Sequence, residues 1–452
     1  MAQSTAGSWS RPVQIAHTDG QIFLNTLVAD DLGRLHVFFA EHPKEDVPGV
    51  LNYLMWDNNA GWSQPIDVIF DPEANTPDQP RATIDSEQTV HLIWGGGNRS
   101  LRYAYAPLAE AGSARAWSTP ETLVQSLPSS HDIIATSDNM LYVVYSDVSD
   151  PNAVNIISSG DLGRTWTQPT IIAQLMTGIV ASDVRLARDG ANRLHVVWTE
   201  YQLPNGVPVT GAFYSRSLDG GLTWEDTQQI AFERHGQIGV GTVGQDSVHL
   251  VWRSNVGGDG TFHQISLDGG DTWTATDQFE DGGGFSGLPS FAVDSIGRLH
   301  YVIGRVFYTM WNEGRLSPYL DVATQEVRST ATLSDGEQAL LAITSGNRVH
   351  VIFETGFESF WHTSLILDTP ALPTATARSV NVSGSQKTPI SIQTPVQESM
   401  PQSTAFPVSD KPVSSALPST GMSLAGVLGL SILPVILIIC IAAIMTSRRR
   451  NR

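Results

Sequence analysis

LHVVW (Leu194 to Trp198) recurs, with small changes, along most of the chain. LHVFF begins at Leu35, VHLIW at Val90, LYVVY at Leu141, VHLVW at Val248, LHYVI at Leu299 and VHVIF at Val349. The second residue of each phrase stands at 36, 91, 142, 195, 249, 300 and 350, giving steps of 55, 51, 53, 54, 51 and 50. Each phrase is rich in β-branched and aromatic residues and follows a polar turn such as DDLGR (Asp30 to Arg34) or DSIGR (Asp294 to Arg298), the marks of a buried strand. Short strands repeating every 50 or so residues, about four to a repeat, spell a β-propeller. Seven copies mean seven blades, and the expected fold is all-β.

The phrase is strand two of each blade, and the others fall into place around it. Strand three carries an aromatic residue in LNYLMW, LRYAY, AFYSRS and VFYTMW, which hold Tyr53, Tyr103, Tyr214 and Tyr308. Strand four is expected to open on a Trp followed by Pro, as in WSQP (Trp62), WSTP (Trp117) and WTQP (Trp166). WSRP at Trp9 is one more such opening, with nothing ahead of it, while the last repeat stops after its third strand, SFWHTSLI (Ser359 to Ile366). Residues 8–15 are therefore expected to complete blade seven and close the ring, which removes the open sheet edge. The propeller spans residues 8–366.

Between strands three and four of blades three, four and five lies one repeated turn: SSGDLGRTW (Ser158 to Trp166), SLDGGLTW (Ser217 to Trp224) and SLDGGDTW (Ser266 to Trp273). Its constant members are Ser159, Asp161, Gly163 and Trp166; Ser217, Asp219, Gly221 and Trp224; and Ser266, Asp268, Gly270 and Trp273. The carboxylate suits acceptance of turn amides, the glycine suits a left-handed backbone, and the Trp suits a plug between sheets. This turn resembles the Asp-box, or BNR repeat, of sialidase-like propellers, and WDNNAGW (Trp56 to Trp62) looks like a worn copy. In an antiparallel blade the one–two and three–four turns share one face of the disc, and the two–three and four–one connections share the other. The resemblance implies a ligand on that second face, at the centre of the ring, which makes the repeated turns scaffold.

Residues that break the repeat on the ligand face are the candidates for function. The ends of strand two supply Glu41, Asp147, Glu200 and Glu354 as candidate catalytic carboxylates, and Arg253 and Arg305 as candidate ligand-binding groups. Arg81 and Arg185 each stand ten residues before the strand-two His, and Tyr201 lies in a longer loop on the same face. A planar guanidinium holds a carboxylate at two points. In sialidases three arginines do this for the substrate, with an Asp as acid/base and a Tyr helped by a Glu as nucleophile, so the resemblance implies a clamp drawn from Arg81, Arg185, Arg253 and Arg305. The chain departs from that family in having seven blades rather than six, in placing its nearest match to the Arg-Ile-Pro motif, SRPVQI (Ser10 to Ile15), on an outer strand, and in offering no clear nucleophile. The repeated histidines cannot converge on one centre from equivalent positions around a ring, so they are expected to be packing residues with satisfied nitrogens. Metal sites and cofactors are not expected.

Composition bounds the partners and the compartment. With 45 acidic and 26 basic residues the net charge is −19, which repels a polyanion, so nucleic acid is excluded as a partner. Cys440 is the only cysteine, so no intrachain disulfide forms. Residues 368–420 carry eight prolines, many Ser and Thr and no Trp or Tyr, the composition of a disordered stalk. It ends in LPSTG, with Leu417, Pro418, Thr420 and Gly421 as the informative positions. Residues 422–445 are 24 without a charge, long enough for one transmembrane helix, and the tail 446–452 is basic, which places it on the cytoplasmic side. That order resembles the cell-wall sorting signal of Gram-positive-type bacteria, and implies sortase and peptidoglycan as partners, with cutting between Thr420 and Gly421. MAQSTAGSWS has neither a basic start nor an apolar core, so Met1 is expected to be a mature or misassigned start. The expected protein is an extracellular, membrane- or wall-anchored propeller that binds a surface glycan or an extracellular protein. The alternatives are an exo-α-sialidase or other surface glycoside hydrolase, and a purely structural propeller.

Overall fold

The structure is a computed structural model that describes residues 7–370 apart from 43–47, 73–76, 97–99, 126–127, 148–151, 203–206, 233–234, 255–259, 280–287, 304–305, 313–314, 319, 324–326 and 328–337. The linker after Pro370, the LPSTG motif, the apolar span 422–445 and the basic tail lie outside the described residues. Among the described residues no helix is long and apolar enough to cross a membrane.

The described chain folds into seven antiparallel sheets. Blade four shows the pattern: Ile179–Arg188, Leu194–Gln202, Val207–Ser217 and Gln228–Phe232, each paired with the next. The innermost strands are Gln21–Ala29, Asp78–Ile84, Pro128–Ala135, Ile179–Arg188, His235–Val243, Ser290–Val293 and Ala339–Thr344, each packed beside the next, with the seventh against the first. In blades one and six the outer strand is split in two, with both pieces on strand three.

Val13–His17 pairs antiparallel with Ser359–Ile366 and so supplies the outer strand of blade seven. The ring is closed by the N-terminal strand, two to five residues later than the sequence pattern suggested. Trp9 is not in the strand; it packs edge-on against Tyr308 of blade six at 5.0 Å. The same shift holds elsewhere. Trp117 and Trp166 precede the outer strands Glu121–Val124 and Thr170–Gln174, which begin just after Pro120 and Pro169. A proline has no N–H to give a ladder, so it delays the strand and leaves the Trp free to turn inward as a plug.

Neighbouring blades are stapled near the axis. A side chain on one inner strand accepts an amide of the next: Thr26 Oγ1 from Ala82 (3.2 Å), Thr83 Oγ1 from Ala135 (2.9 Å), Ser130 Oγ from Val184 (3.0 Å), Asp183 Oδ2 from Gln237 (3.2 Å) and Ser290 Oγ from Leu341 (3.0 Å). Polar staples suit this position because inner-strand amides facing the next blade have no ladder partner.

The repeated histidines are buried members of hydrogen-bonded relays. In blades one, two, four and six an Asp six residues earlier accepts from Nε2–H, and a strand-three Tyr hydroxyl donates to Nδ1. The members are Asp30–His36–Tyr53, Asp85–His91–Tyr103, Asp189–His195–Tyr214 and Asp294–His300–Tyr308. The other carboxylate oxygen of each Asp caps the one–two turn, as Asp189 Oδ1 does for the amides of Ala191 and Arg193. Burial pushes the Asp189 carboxyl up, but hydrogen bonds from His195 and Arg193 outweigh it and hold it below the usual range. Blades five and seven use histidine pairs instead: Ser247–His249–His263 and Thr344–His350–His362.

In the repeated turns Ser159 Oγ donates to Asp161 Oδ1 and accepts the Gly163 amide, and Asp161 accepts both the amide and the hydroxyl of Thr165. Ser217–Asp219–Gly221 and Ser266–Asp268–Gly270 repeat the set with Thr223 and Thr272. The Thr165 hydroxyl and amide hold Asp161 down to about 2, so it stays an acceptor. Trp166 and Trp273 stand edge-on to Tyr103 and Tyr214 of the preceding blade, at 5.4 and 5.0 Å, while Trp224 packs in the core between blades three and four.

Candidate functional site

The inner strands of blades one to five break register close to the face that carries the ends of strand two. The irregularities fall between Leu24 and Thr26, Asp78 and Arg81, Pro128 and His131, Ser182 and Arg185, and Gly236 and Ile238. Three of the inserted residues, Gln79, Asp183 and Gln237, have φ of 47, 52 and 51°. Bulges of this kind re-aim the side chains that follow and concentrate at functional sites.

Past the bulges, Arg81 faces Ile93, Asp132 faces Val144 and Arg185 faces Val197. Each facing residue lies two after the relay position of strand two (His91, Tyr142, His195), so Arg81, Asp132 and Arg185 are equivalent positions on three successive blades. They form an Arg–Asp–Arg arc around the axis. Burial and then the charge of Arg185 push Arg81 down to about 9, against the pull of Asp132, Asp183 and Asp78. Arg81 and Arg185 remain partly exposed to solvent, so the arc is deep but not sealed.

The carboxylates of this arc are largely committed to backbone. Asp132 accepts the amides of Ile133 (3.0 Å) and Leu186 (3.1 Å); Asp183 accepts the Gln237 amide (3.2 Å) and the Thr199 hydroxyl (3.1 Å). Arg185 Nη1 donates to the Val184 carbonyl at 2.6 Å. Tyr201 is pushed up to about 12 by burial and the Asp183 charge, against a hydrogen bond with Thr199, and so stays protonated. His131, 2 % exposed, donates from Nε2 to the Gln79 carbonyl at 2.7 Å, and its buried Nδ1 has no hydrogen-bond partner. Burial first and Arg81 second push His131 down to about 3, so it is neutral at ordinary pH.

Of the residues singled out from the sequence, Arg81 and Arg185 come together from blades two and four, and Tyr201 stands in blade four within reach of the Asp183 charge. Arg253 stands one blade further round, opposite Gly236 and Thr261, and Arg305 lies outside the described residues. The four carboxylates are spread over blades one, three, four and seven. Glu41 accepts from the Thr18 hydroxyl and from Asn52 (3.2 Å), Glu200 from the Trp198 indole (3.2 Å), and Glu354, 2 % exposed, from the Gln338 amide (2.9 Å). Asp147 ends strand two of blade three, opposite Pro128 and Ala153. Asp71 is buried in an ion pair with Arg102 (2.8 Å) that joins blades one and two. Asp183 escapes the sequence pattern because it sits in a bulge, and His131 and Asp132 because they directly follow one, which the two-residue alternation does not cross. Among the described residues no cluster of His, Cys, Asp and Glu suits a metal ion.

No protein-family model matches the chain, and no curated protein matches its sequence. Similar solved structures include a polysaccharide lyase, ulvan lyase, bound to a GlcA(1-4)Rha3S unit, with a TM-score of 0.54 and 13% identity over 80% of this chain and 97% of the other. The BP39L lectin from Burkholderia pseudomallei superposes with a TM-score of 0.53 and 13% identity, over 78% of this chain and 96% of its own. NanB sialidase from Streptococcus pneumoniae is a more distant likeness, with a TM-score of 0.44 and 13% identity over 78% of this chain and 70% of the other. At such identities what the likeness establishes is architecture, and the chain is a seven-bladed β-propeller.

Proposed function

We propose that this protein is a surface-displayed glycan-binding propeller whose central face takes an acidic sugar between Arg81 and Arg185. The carrying observation is the arc itself. Two guanidinium groups face each other's charge near the axis, and a sugar carboxylate that bridges them relieves that repulsion. The fold likeness to a lectin and to a lyase bound to a glucuronate-containing unit supports the class of ligand. Hydrolysis is the second reading, but it needs two carboxyl groups about 5–9.5 Å apart across one bond. Glu41, Asp147, Glu200 and Glu354 stand on different blades or within their own sheet hydrogen bonds.

Titration calorimetry of the full chain with glucuronic acid and sialic acid tests this. Arg81→Gln with Arg185→Gln is expected to weaken binding about 30-fold or more, the loss of a partly buried charge contact, with the melting temperature kept. Equal affinity in parent and double variant removes the reading. Release of the fluorophore from a fluorogenic sialoside, abolished in the same variant, replaces binding by hydrolysis.

Display is the second half of the proposal. LPSTG, the apolar run and the basic tail support covalent wall attachment through Thr420 on the outer side of the membrane. In a sortase-bearing host that exports the chain, Pro418→Ala is expected to move the protein from the wall fraction to the membrane fraction. An unchanged wall fraction, resistant to detergent, overturns that route.

A further inference from the structure

On the ligand face, blade seven meets blade one at a turn that its sequence does not favour. The Glu358 amide closes the turn on the Thr355 carbonyl at 3.4 Å, and its two middle positions, Gly356 and Phe357, have φ of 65 and 57°. A turn left-handed at both positions normally takes Gly or Asn, and a bulky residue there is strained. The backbone contact Phe357 makes, its carbonyl accepting the Ile22 amide at 2.8 Å, is one any residue supplies. What Phe adds is a ring. That ring lies 5.8 Å from Phe23 on the inner strand of blade one, and Phe23 lies 5.3 Å from the His42 imidazole at the end of strand two. All three are partly exposed.

This aromatic group is continuous with the arginine arc. Phe23 precedes Thr26 by three residues, at most about 10 Å along a strand that bulges between Leu24 and Thr26. Thr26 Oγ1 accepts the amide of Ala82, the residue after Arg81. The rings therefore stand towards the rim and the guanidinium groups deeper, along one wall of the same face.

We infer that Phe23, Phe357 and His42 form a second sugar subsite, a platform for the apolar face of a neutral pyranose in the same glycan chain whose acidic residue sits at Arg81 and Arg185. This rests on the glycan-binding reading of the face. A pyranose has an apolar C–H face and a hydroxyl edge, and a half-exposed aromatic group matches the first while leaving the second wet. The site then reads an oligosaccharide of alternating charge rather than a single acidic sugar.

The test is calorimetry on the full chain with glucuronic acid and with a hyaluronan tetrasaccharide, which alternates uronate and neutral sugar. Phe357→Gly suits the turn, so its melting temperature is expected to hold or rise; Phe23→Leu, which keeps apolar volume, is the second variant. Each is expected to weaken the tetrasaccharide about tenfold and leave glucuronic acid unchanged. Unchanged tetrasaccharide affinity, or equal loss for both ligands, overturns the platform while the arginine reading stands. A folded parent that binds neither ligand overturns both.

Discussion

Replacing Gly163 by Ala is expected to cost about 4 kcal/mol of stability, whereas the same change at Gly61 costs about 1 kcal/mol. Both glycines are left-handed, with φ of 83 and 75°, so the backbone penalty is shared. Their surroundings differ. A Cβ at Gly61 meets nothing within 4 Å, but at Gly163 it collides with the Tyr103 hydroxyl. That hydroxyl donates to His91 Nδ1 at 2.8 Å, so relieving the clash breaks the relay of the neighbouring blade. A Cβ at Gly270 collides with the Tyr214 hydroxyl of blade four in the same way, and Gly270→Ala is expected to match Gly163→Ala. Urea denaturation of the three variants checks this; equal losses at Gly61 and Gly163 would show that conformation alone sets the cost.

Stability is also expected to collapse as pH falls from 6.5 towards 4.5. Burial pushes His249 and His362 down to about 3 and His263 to about 4; His350 is well below its ordinary value, and His131 is at about 3. In the unfolded chain these groups titrate near 6.5, so below that pH the unfolded state binds more protons than the folded one. Their contribution is complete above 6.5 and is lost as pH falls through the window down to the folded values. The scale is about 2 kcal/mol by pH 5 for each of His131, His249, His263 and His362, about 8 kcal/mol together, with His350 adding in the same direction, against a total stability of about 5–15 kcal/mol. Urea midpoints should be flat above pH 7 and fall steeply below 6.5. Coincident midpoints at pH 7 and 5 would refute the neutral-pair account. His263→Tyr, which rebuilds the hydroxyl-to-imidazole contact of blades one, two, four and six, should flatten the profile.

The fold was readable because one strand per blade is constrained on every side. Strand two is buried on both faces and carries the relay His, so its composition barely drifts over seven copies. The closing strand was readable by subtraction, from WSRP at one end and a missing outer strand at the other. Half of the relay is encoded in a spacing that the turn reading passed over: Asp30, Asp85, Asp189 and Asp294 each stand six residues before their His. The arginine arc was half readable. Arg81 and Arg185 share a distance to the strand-two His, but Asp132 occupies that position in blade three, where Tyr142 replaces the His and hides the match. The carboxylates at the ends of strand two looked equivalent to one another in sequence. Their separation around the disc, and the hydrogen bonds that engage Glu41, Glu200 and Glu354, depend on long-range packing that no local pattern encodes.

Closure of the ring by Val13–His17 has a mechanical consequence. The last strand, Ser359–Ile366, has Arg348–Thr355 hydrogen-bonded on one side and Val13–His17 on the other. Beyond it Asn347 Nδ2 grips the carbonyls of Leu367 and Thr369 at 2.7 and 2.6 Å. Tension arriving through Pro370 therefore does not peel an edge strand one bond at a time. It has to slide a central strand lengthwise past two partners, breaking both ladders together, so a tether at this end is drawn against the strongest direction of the sheet.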